Sequence, residues 1–211
     1  MRGPGPSIAT TRYRHGNAGL PGGGILANDF TPTPFEAWGS LVQAGFVTAF
    51  GPTAIDELAS VYRRSAVIIG PVHETPQSQS RVTVSPRLRD KAGVPIVHLD
   101  SPGPHPNDLA VADLLTEKAQ DWLTASGAVK TVATRWTPRR GPSADQHQAG
   151  TCRMGTDPTT SVTDAAGALW NYRGITIADG ALHPTNGGVN PVLTILANSW
   201  RVNESLAASL T

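Results

Sequence analysis

His147, Cys152 and Asn190 are the residues of this chain whose types and settings could do chemistry. The first two share the stretch HQAGTCRMGTDP, residues 147–158, with four residues between them, and Asn190 closes NGGVN just before a proline. A histidine near a cysteine suggests a thiol nucleophile. Such a thiol needs a depressed pKa and an oxyanion site, however, and a lone cysteine more commonly serves as a small buried hydrophobe. A metal centre has little support. The six histidines, at 15, 73, 98, 105, 147 and 183, show no HExxH, HxH or HxxxH spacing, the patterns that gather imidazoles around one ion. On spacing alone a loop histidine such as His147 reads as a structural or surface residue. Proton chemistry is a further option beside these. His147 and Asn190 each lie beside glycine-rich backbone that a ligand can approach closely, and Asn190 opens a helix whose N-terminal dipole favours negative charge. Together they would suit an oxidation in which an alcohol gives its proton to a base and an oxyanion, or the anion of a reduced cofactor, is stabilised nearby.

The elements that must hold these residues are read from periodicity. Residues 1–34, with GLPGGGIL at 19–26, lack periodicity and read as irregular or extended. GLPGGGIL has neither GxGxxG nor GxxxxGK[ST], so it reads as a turn or flexible strand edge rather than a phosphate cradle. Helical spacing runs over 35–50, 54–64 and 108–127, while 65–72, 80–86, 95–100 and 131–138 are strand-like runs. Residues 151–158 and 161–167 read as loops, 175–179 as a short strand, and 191 to about 208 as a helix with Asn190 as N-cap and Pro191 in its first position. The pattern predicts an α+β fold, a mostly antiparallel sheet with covering helices.

Composition bounds the function. The 211 residues are 39% apolar and 16% charged with a net charge of +1, a globular composition without bias toward nucleic acid or membrane. One cysteine excludes an internal disulfide or CxxC motif. No apolar run approaches the length of a membrane span, and MRGPGPSIATTRYRHG has no signal-peptide core, so the expected compartment is the cytoplasm by default.

Four uncommon elements then occur in order: H-x-x-G-T-C-R-M-G from His147, D-P-x-x-S-V-x-D from Asp157, A-D-G at 178–180 and N-P-x-L-T-I from Asn190. This wording resembles the C-terminal signature of the glucose–methanol–choline (GMC) FAD-dependent oxidoreductases, nearest to bacterial sugar and polyol enzymes. HGNAGLPGGGILAN and SRVTVSPRLRDKAGVPIVHLD resemble pieces of the substrate-domain half more loosely. The resemblance implies FAD as cofactor and an alcohol or sugar as substrate. It implies His147 as the acceptor of the hydroxyl proton while hydride passes to flavin N5, with Asn190, 43 residues on, as its partner. Asp179 and Gly180 would lie along the flavin's ribityl-phosphate chain, and Asn190, Pro191 and Val192 near its pyrimidine edge. Cys152, Arg153 and Met154 become support for the histidine loop.

The same resemblance implies residues 1–140 as a partial substrate-binding domain and 141–211 as the C-terminal segment. The latter would hold the terminal strand and helix of an FAD-binding Rossmann-like domain whose GxGxxG unit does not occur in these residues. The strand at 175–178 would then be an exposed edge, and a separate chain carrying the dinucleotide-binding half becomes an expected partner. Residues 165–178 do not match the family's usual wording. Three readings stay open: an FAD-dependent oxidoreductase of CH–OH donors, a truncated or split-gene fragment inactive alone, and a sugar-binding or interaction module without flavin.

Overall fold

A computed structural model describes residues 7–30, 32–133 and 147–210. Among them are four helices and two small antiparallel sheets, an α+β structure. They form two compact units, residues 7–30 and 32–72 with 110–133, and residues 73–109 with 147–210.

In the first unit β1 (Ala9–Thr10), β2 (Leu26–Asn28) and β3 (Ile68–Ile69) pair in that order, all antiparallel. The expectation of an irregular stretch over 1–34 is thus corrected at Leu26–Asn28, which is the middle strand. The reason is tertiary: a Cβ on Gly24 would stand 2.1 Å from the Pro71 carbonyl oxygen, so the glycines let this segment lie flat against a neighbour that periodicity cannot reveal. Leu26 is buried with Val111 and Leu115.

Helix α1 (Pro34–Gln43) begins with a reciprocal capping box between Thr33 and Glu36 and has proline in its first turn. It stops well short of residue 50. Gly45 is left-handed at φ 69°, and the N–H groups of Gly45 and Phe46 return to the carbonyls of Val42 and Leu41, which closes the last turn as a Schellman motif. Helix α2 (Ala54–Tyr62) follows, and Ala37, Leu41 and Val47 form the core beneath the pair. Helix α3 (Pro106–Ala125) ends the same way as α1, with Gly127 left-handed and Ala128 N–H on the Leu123 carbonyl. The strand expected at 131–138 is not formed over 131–133, and its remainder lies outside the described residues.

In the second unit β4 (Arg81–Arg89) and β5 (Pro95–Asp100) form a two-stranded ribbon. Asp90 stitches its turn by accepting from the N–H groups of Ala92 and Val94, while Gly93 supplies φ 81°. The buried Asp108 carboxylate accepts from the N–H and hydroxyl of Thr75 and from the His105 N–H, at 2.7–3.0 Å. This fixes the approach to the ribbon on the first turn of α3. The chain from His147 to Pro191 has no strand and one 3-10 turn, Gly180–Leu182, before α4 (Val192–Ser209).

The expected strand at 175–179, with its exposed edge, is not formed. Instead the backbone doubles back on itself: Leu169 N–H donates to Ile175 O and Ile177 N–H to Gly167 O, and the Ser199 hydroxyl of α4 donates to Ala178 O. Those bonds occupy groups that a sheet neighbour would otherwise have needed to satisfy.

Candidate active site

The loop that carries His147 has an unusual backbone. His147, Gly150 and Thr151 take φ values of 64°, 92° and 73°, in the left-handed region that L-residues other than asparagine and aspartate seldom enter. Beyond it the chain runs extended along the 3-10 turn. The N–H groups of Gly150, Cys152 and Met154 donate to the carbonyls of Gly180, Ala181 and Leu182 at 3.3, 3.1 and 2.9 Å. Gly155 N–H to Thr163 O and Val162 N–H to Arg153 O then close residues 153–163 into a clip. Thr163 within it is fully buried, its hydroxyl donating to Cys152 O.

Aspartates stiffen the turns of this segment. Asp157 accepts from the N–H and hydroxyl of Thr159. These bonds, the backbone one first, hold its carboxyl below the usual aspartate value. Asp164 accepts from the N–H groups of Ala166 and Ala168. Asp179 caps the 3-10 turn through Ala181 N–H at 2.8 Å.

Against this frame the two outlying candidates come together. Asn190 Nδ2 lies 3.3 Å from His147 Nε2. With Nε2 unprotonated, the amide donates to the ring lone pair. The expectation that Asn190 caps the following helix is corrected here. The helix starts at Val192 with Pro191 in the cap position and no side-chain cap bond, while the Asn190 Nδ2 faces the imidazole. The first intrahelical bond is Ile195 N–H to Pro191 O, at 2.8 Å, so the N–H groups of the first turn have no intrahelical acceptor.

Pro191 is buried while Val192 and Leu193 are exposed, at 59% and 81%. Gly180 stands where side-chain space runs out: a Cβ there would lie 3.1 Å from Ile195 Cδ1 and 3.4 Å from Gln148 O. Cys152 enters this arrangement through its backbone, and its thiol is free. Among the described residues no group of three or more His, Cys, Asp or Glu side chains could hold a metal ion, and no helix is long and apolar enough to cross a membrane.

The sequence reading brought His147 and Asn190 forward and missed the residues that hold them. The N–H groups of Gly150, Cys152 and Met154 and the three carbonyls at 180–182 act through the backbone, which leaves no side-chain signature. His183, buried beside this turn, was likewise one histidine among six.

The model of the GMC oxidoreductase family matches residues 76–199, which hold both His147 and Asn190. The chain belongs to this family. It is similar to 6'''-hydroxyparomomycin C oxidase of Streptomyces lividus, 36% identical over 135 residues, which are 64% of this chain and 24% of that protein. It is also similar to 2-methyl-1,2-propanediol dehydrogenase of Mycolicibacterium austroafricanum, 32% identical over 134 residues, again 64% and 24%. A long-chain-alcohol oxidase of Arabidopsis thaliana is 31% identical over 101 residues, 48% of this chain and 13% of its own length. The chain therefore spans about a quarter of the length of the first two relatives.

Proposed function

We propose that this chain supplies the proton-handling part of an FAD-dependent oxidoreductase that acts on the CH–OH group of an alcohol or sugar. The observation that carries the reading is the meeting of His147 Nε2 and Asn190 Nδ2 at 3.3 Å, across 43 residues and at the start of α4. A hydroxyl placed between them can do two things at once. It can donate its proton toward the ring lone pair and accept a hydrogen bond from the amide. His147 then holds the proton at Nε2, and Asn190 orients the oxygen without competing as a base. The relatives, named as oxidases and a dehydrogenase of hydroxylated compounds, support this substrate class.

The residues present fit one part of a flavin. The first turn of α4 offers uncapped N–H groups at its positive dipole end, and Val192 and Leu193 present apolar surface beside them. Gly187 leaves open space where a Cβ would be. Pro191, Val192 and the Asn190 backbone would hold the pyrimidine edge, with Asp179 and Gly180 toward the ribityl chain. Bound there, flavin supplies the hydride acceptor, and the helix end stabilises the negative charge that reduction leaves. This chain's own contribution is the base, the orienting amide and the dipole.

The chain spans about a quarter of the length of its first two relatives, and we propose that the polypeptide completing that length supplies the dinucleotide-binding GxGxxG unit. The decisive experiment purifies the chain alone and together with such a polypeptide. Flavin absorbance in the assembly, bleached by an alcohol or sugar, is the expected result. His147→Ala should slow that bleaching by about two to four orders of magnitude, and an unchanged rate would remove the assigned role. Absence of flavin in the assembly would leave the inactive fragment as the better reading. Sugar binding without flavin would leave the binding module.

A further inference from the structure

Among the described residues Thr151 makes no hydrogen bond that explains its conformation. Among the described residues only two that are not glycine have positive φ, His147 at 64° and Thr151 at 73°, and they bracket the stretch H-Q-A-G-T. Glycine is at home in this region, but a β-branched residue is an outlier there. The Thr151 side chain is exposed, and among the described residues neither its hydroxyl nor its N–H makes a hydrogen bond.

What holds Thr151 is the bonding on either side of it. Gly150 N–H and Cys152 N–H both reach the 3-10 turn, at Gly180 O and Ala181 O, and Met154 N–H continues to Leu182 O. A return of residue 151 to negative φ would rotate one of these neighbours away from the turn. The same turn faces the histidine end of the loop, since a Cβ on Gly180 would touch Gln148 O at 3.4 Å. The left-handed backbone at 151 is therefore the joint that lets one turn of chain hold residues 150–154 along 180–182 while His147 faces Asn190 at 3.3 Å.

We propose that Thr151 is a positioning residue for His147, acting through its left-handed backbone rather than through its hydroxyl. The proposal rests on His147 being the proton acceptor for its functional meaning, and on the loop geometry alone for its physical content.

The test uses this chain with three substitutions. Thr151→Pro forbids positive φ and removes no hydrogen bond recorded for residue 151. Thr151→Gly and Thr151→Asn both tolerate positive φ. The readouts are the 15N shifts of the His147 imidazole, its NMR cross-peak to the Asn190 side-chain amide, and hydrogen exchange at Cys152 and Met154. In Thr151→Pro the cross-peak should vanish, the ring shifts should move to those of a free imidazole, and the two amides should exchange at least about tenfold faster. Thr151→Gly and Thr151→Asn should keep the cross-peak and exchange within about twofold of the parent chain.

Unchanged shifts and exchange in Thr151→Pro would overturn the proposal. So would loss of the cross-peak in Thr151→Gly or Thr151→Asn, because the side chain would then be what matters. If Thr151→Pro loses the dispersed spectrum of a folded chain, the glycine and asparagine variants decide. None of these readouts uses flavin. A positive result here, combined with unaltered flavin bleaching in His147→Ala, would remove the proposed reaction and leave the positioning role standing.

Discussion

The β4–β5 ribbon pairs strands of nine and six residues antiparallel, with an irregularity between Val84 and Arg89, yet Val82, Val84, Val97 and Leu99 on one of its faces are 49–64% exposed. The segment from His147 to Pro191, in the same compact unit, has no strand and only one 3-10 turn, yet Thr163 and Leu182 within it are fully buried. Regular hydrogen bonding and tight packing are separate achievements, and this unit divides them between two regions. The ribbon satisfies its backbone by pairing and leaves its apolar face uncovered. The irregular segment satisfies its backbone one turn at a time and packs Gly167 and Leu182 against Val202 of α4. The candidate site lies in the second region, where three carbonyls of a single turn hold the loop that aims an imidazole.

The largest effect on this contrast is expected from a pair of left-handed glycines, Gly167 and Gly93. Gly167 has φ 82°, and a Cβ there would stand 2.5 Å from Ile177 O and 3.2 Å from Val202 Cγ1. Gly167→Ala should therefore cost about 3 kcal/mol or more, combining backbone strain with overpacking. Gly93 in the ribbon turn has nearly the same φ, 81°, with nothing within 4 Å of an added Cβ. Gly93→Ala should cost only the strain, about 1–2 kcal/mol. Chemical denaturation of both variants measures the difference, and equal losses would mean that the irregular segment is no better packed than the ribbon.

A smaller effect is expected on the ribbon's apolar face. Val84→Thr and Val97→Thr should each change stability by no more than about 0.5 kcal/mol, the usual range for surface positions. A loss above about 1 kcal/mol would show that this face is covered in solution, since a hydroxyl is costly only when it is taken out of water.

The smallest effect is electrostatic. Asp157 has its carboxyl lowered from 3.8 by the Thr159 bonds, so it binds a proton more readily unfolded than folded. Its contribution is present above the unfolded value and is lost as pH falls through the lower folded one. Asp157→Asn should flatten the stability profile below about pH 4 and leave the slope near neutrality unchanged; an unaltered acid limb would mean that the Thr159 bonds do not persist in solution.

The legibility of the chain follows the same division. Helix starts and stops are local events, and their signals lie in adjacent residues: Thr33, Pro34 and Glu36 at one end of α1, Gly45 at the other. The β-branched runs at 80–86 and 95–100 are local too, and they fall on β4 and β5. The limits appear where local signals compete with distant partners. Residues 175–179 have strand-like residues, but their backbone groups found acceptors and donors at 167, 169 and 199 instead of in a sheet. Asn190 followed by proline has the wording of an N-cap, but its amide met an imidazole 43 residues away and the helix began two residues later. Leu26–Asn28 lies in glycine-rich sequence that reads as loop, and became a central strand because Gly24 tolerates the close backbone of Pro71.

By itself the sequence determined the α+β class, most helix and strand positions, family membership through the order of its motifs, and the pairing of His147 with Asn190 as candidates. The elements are properties of residue type and short spacing, whereas the family and the pairing across 43 residues come from the resemblance of its ordered motifs. How the pair is held is a tertiary matter: which carbonyls receive Gly150, Cys152 and Met154, why Thr151 turns left-handed, and why a Cβ at Gly180 would press on Ile195. Those are backbone contacts between segments some 30 residues apart. Every residue but proline carries the same N–H and every residue the same C=O, so nothing in the side-chain alphabet announces which of them will meet.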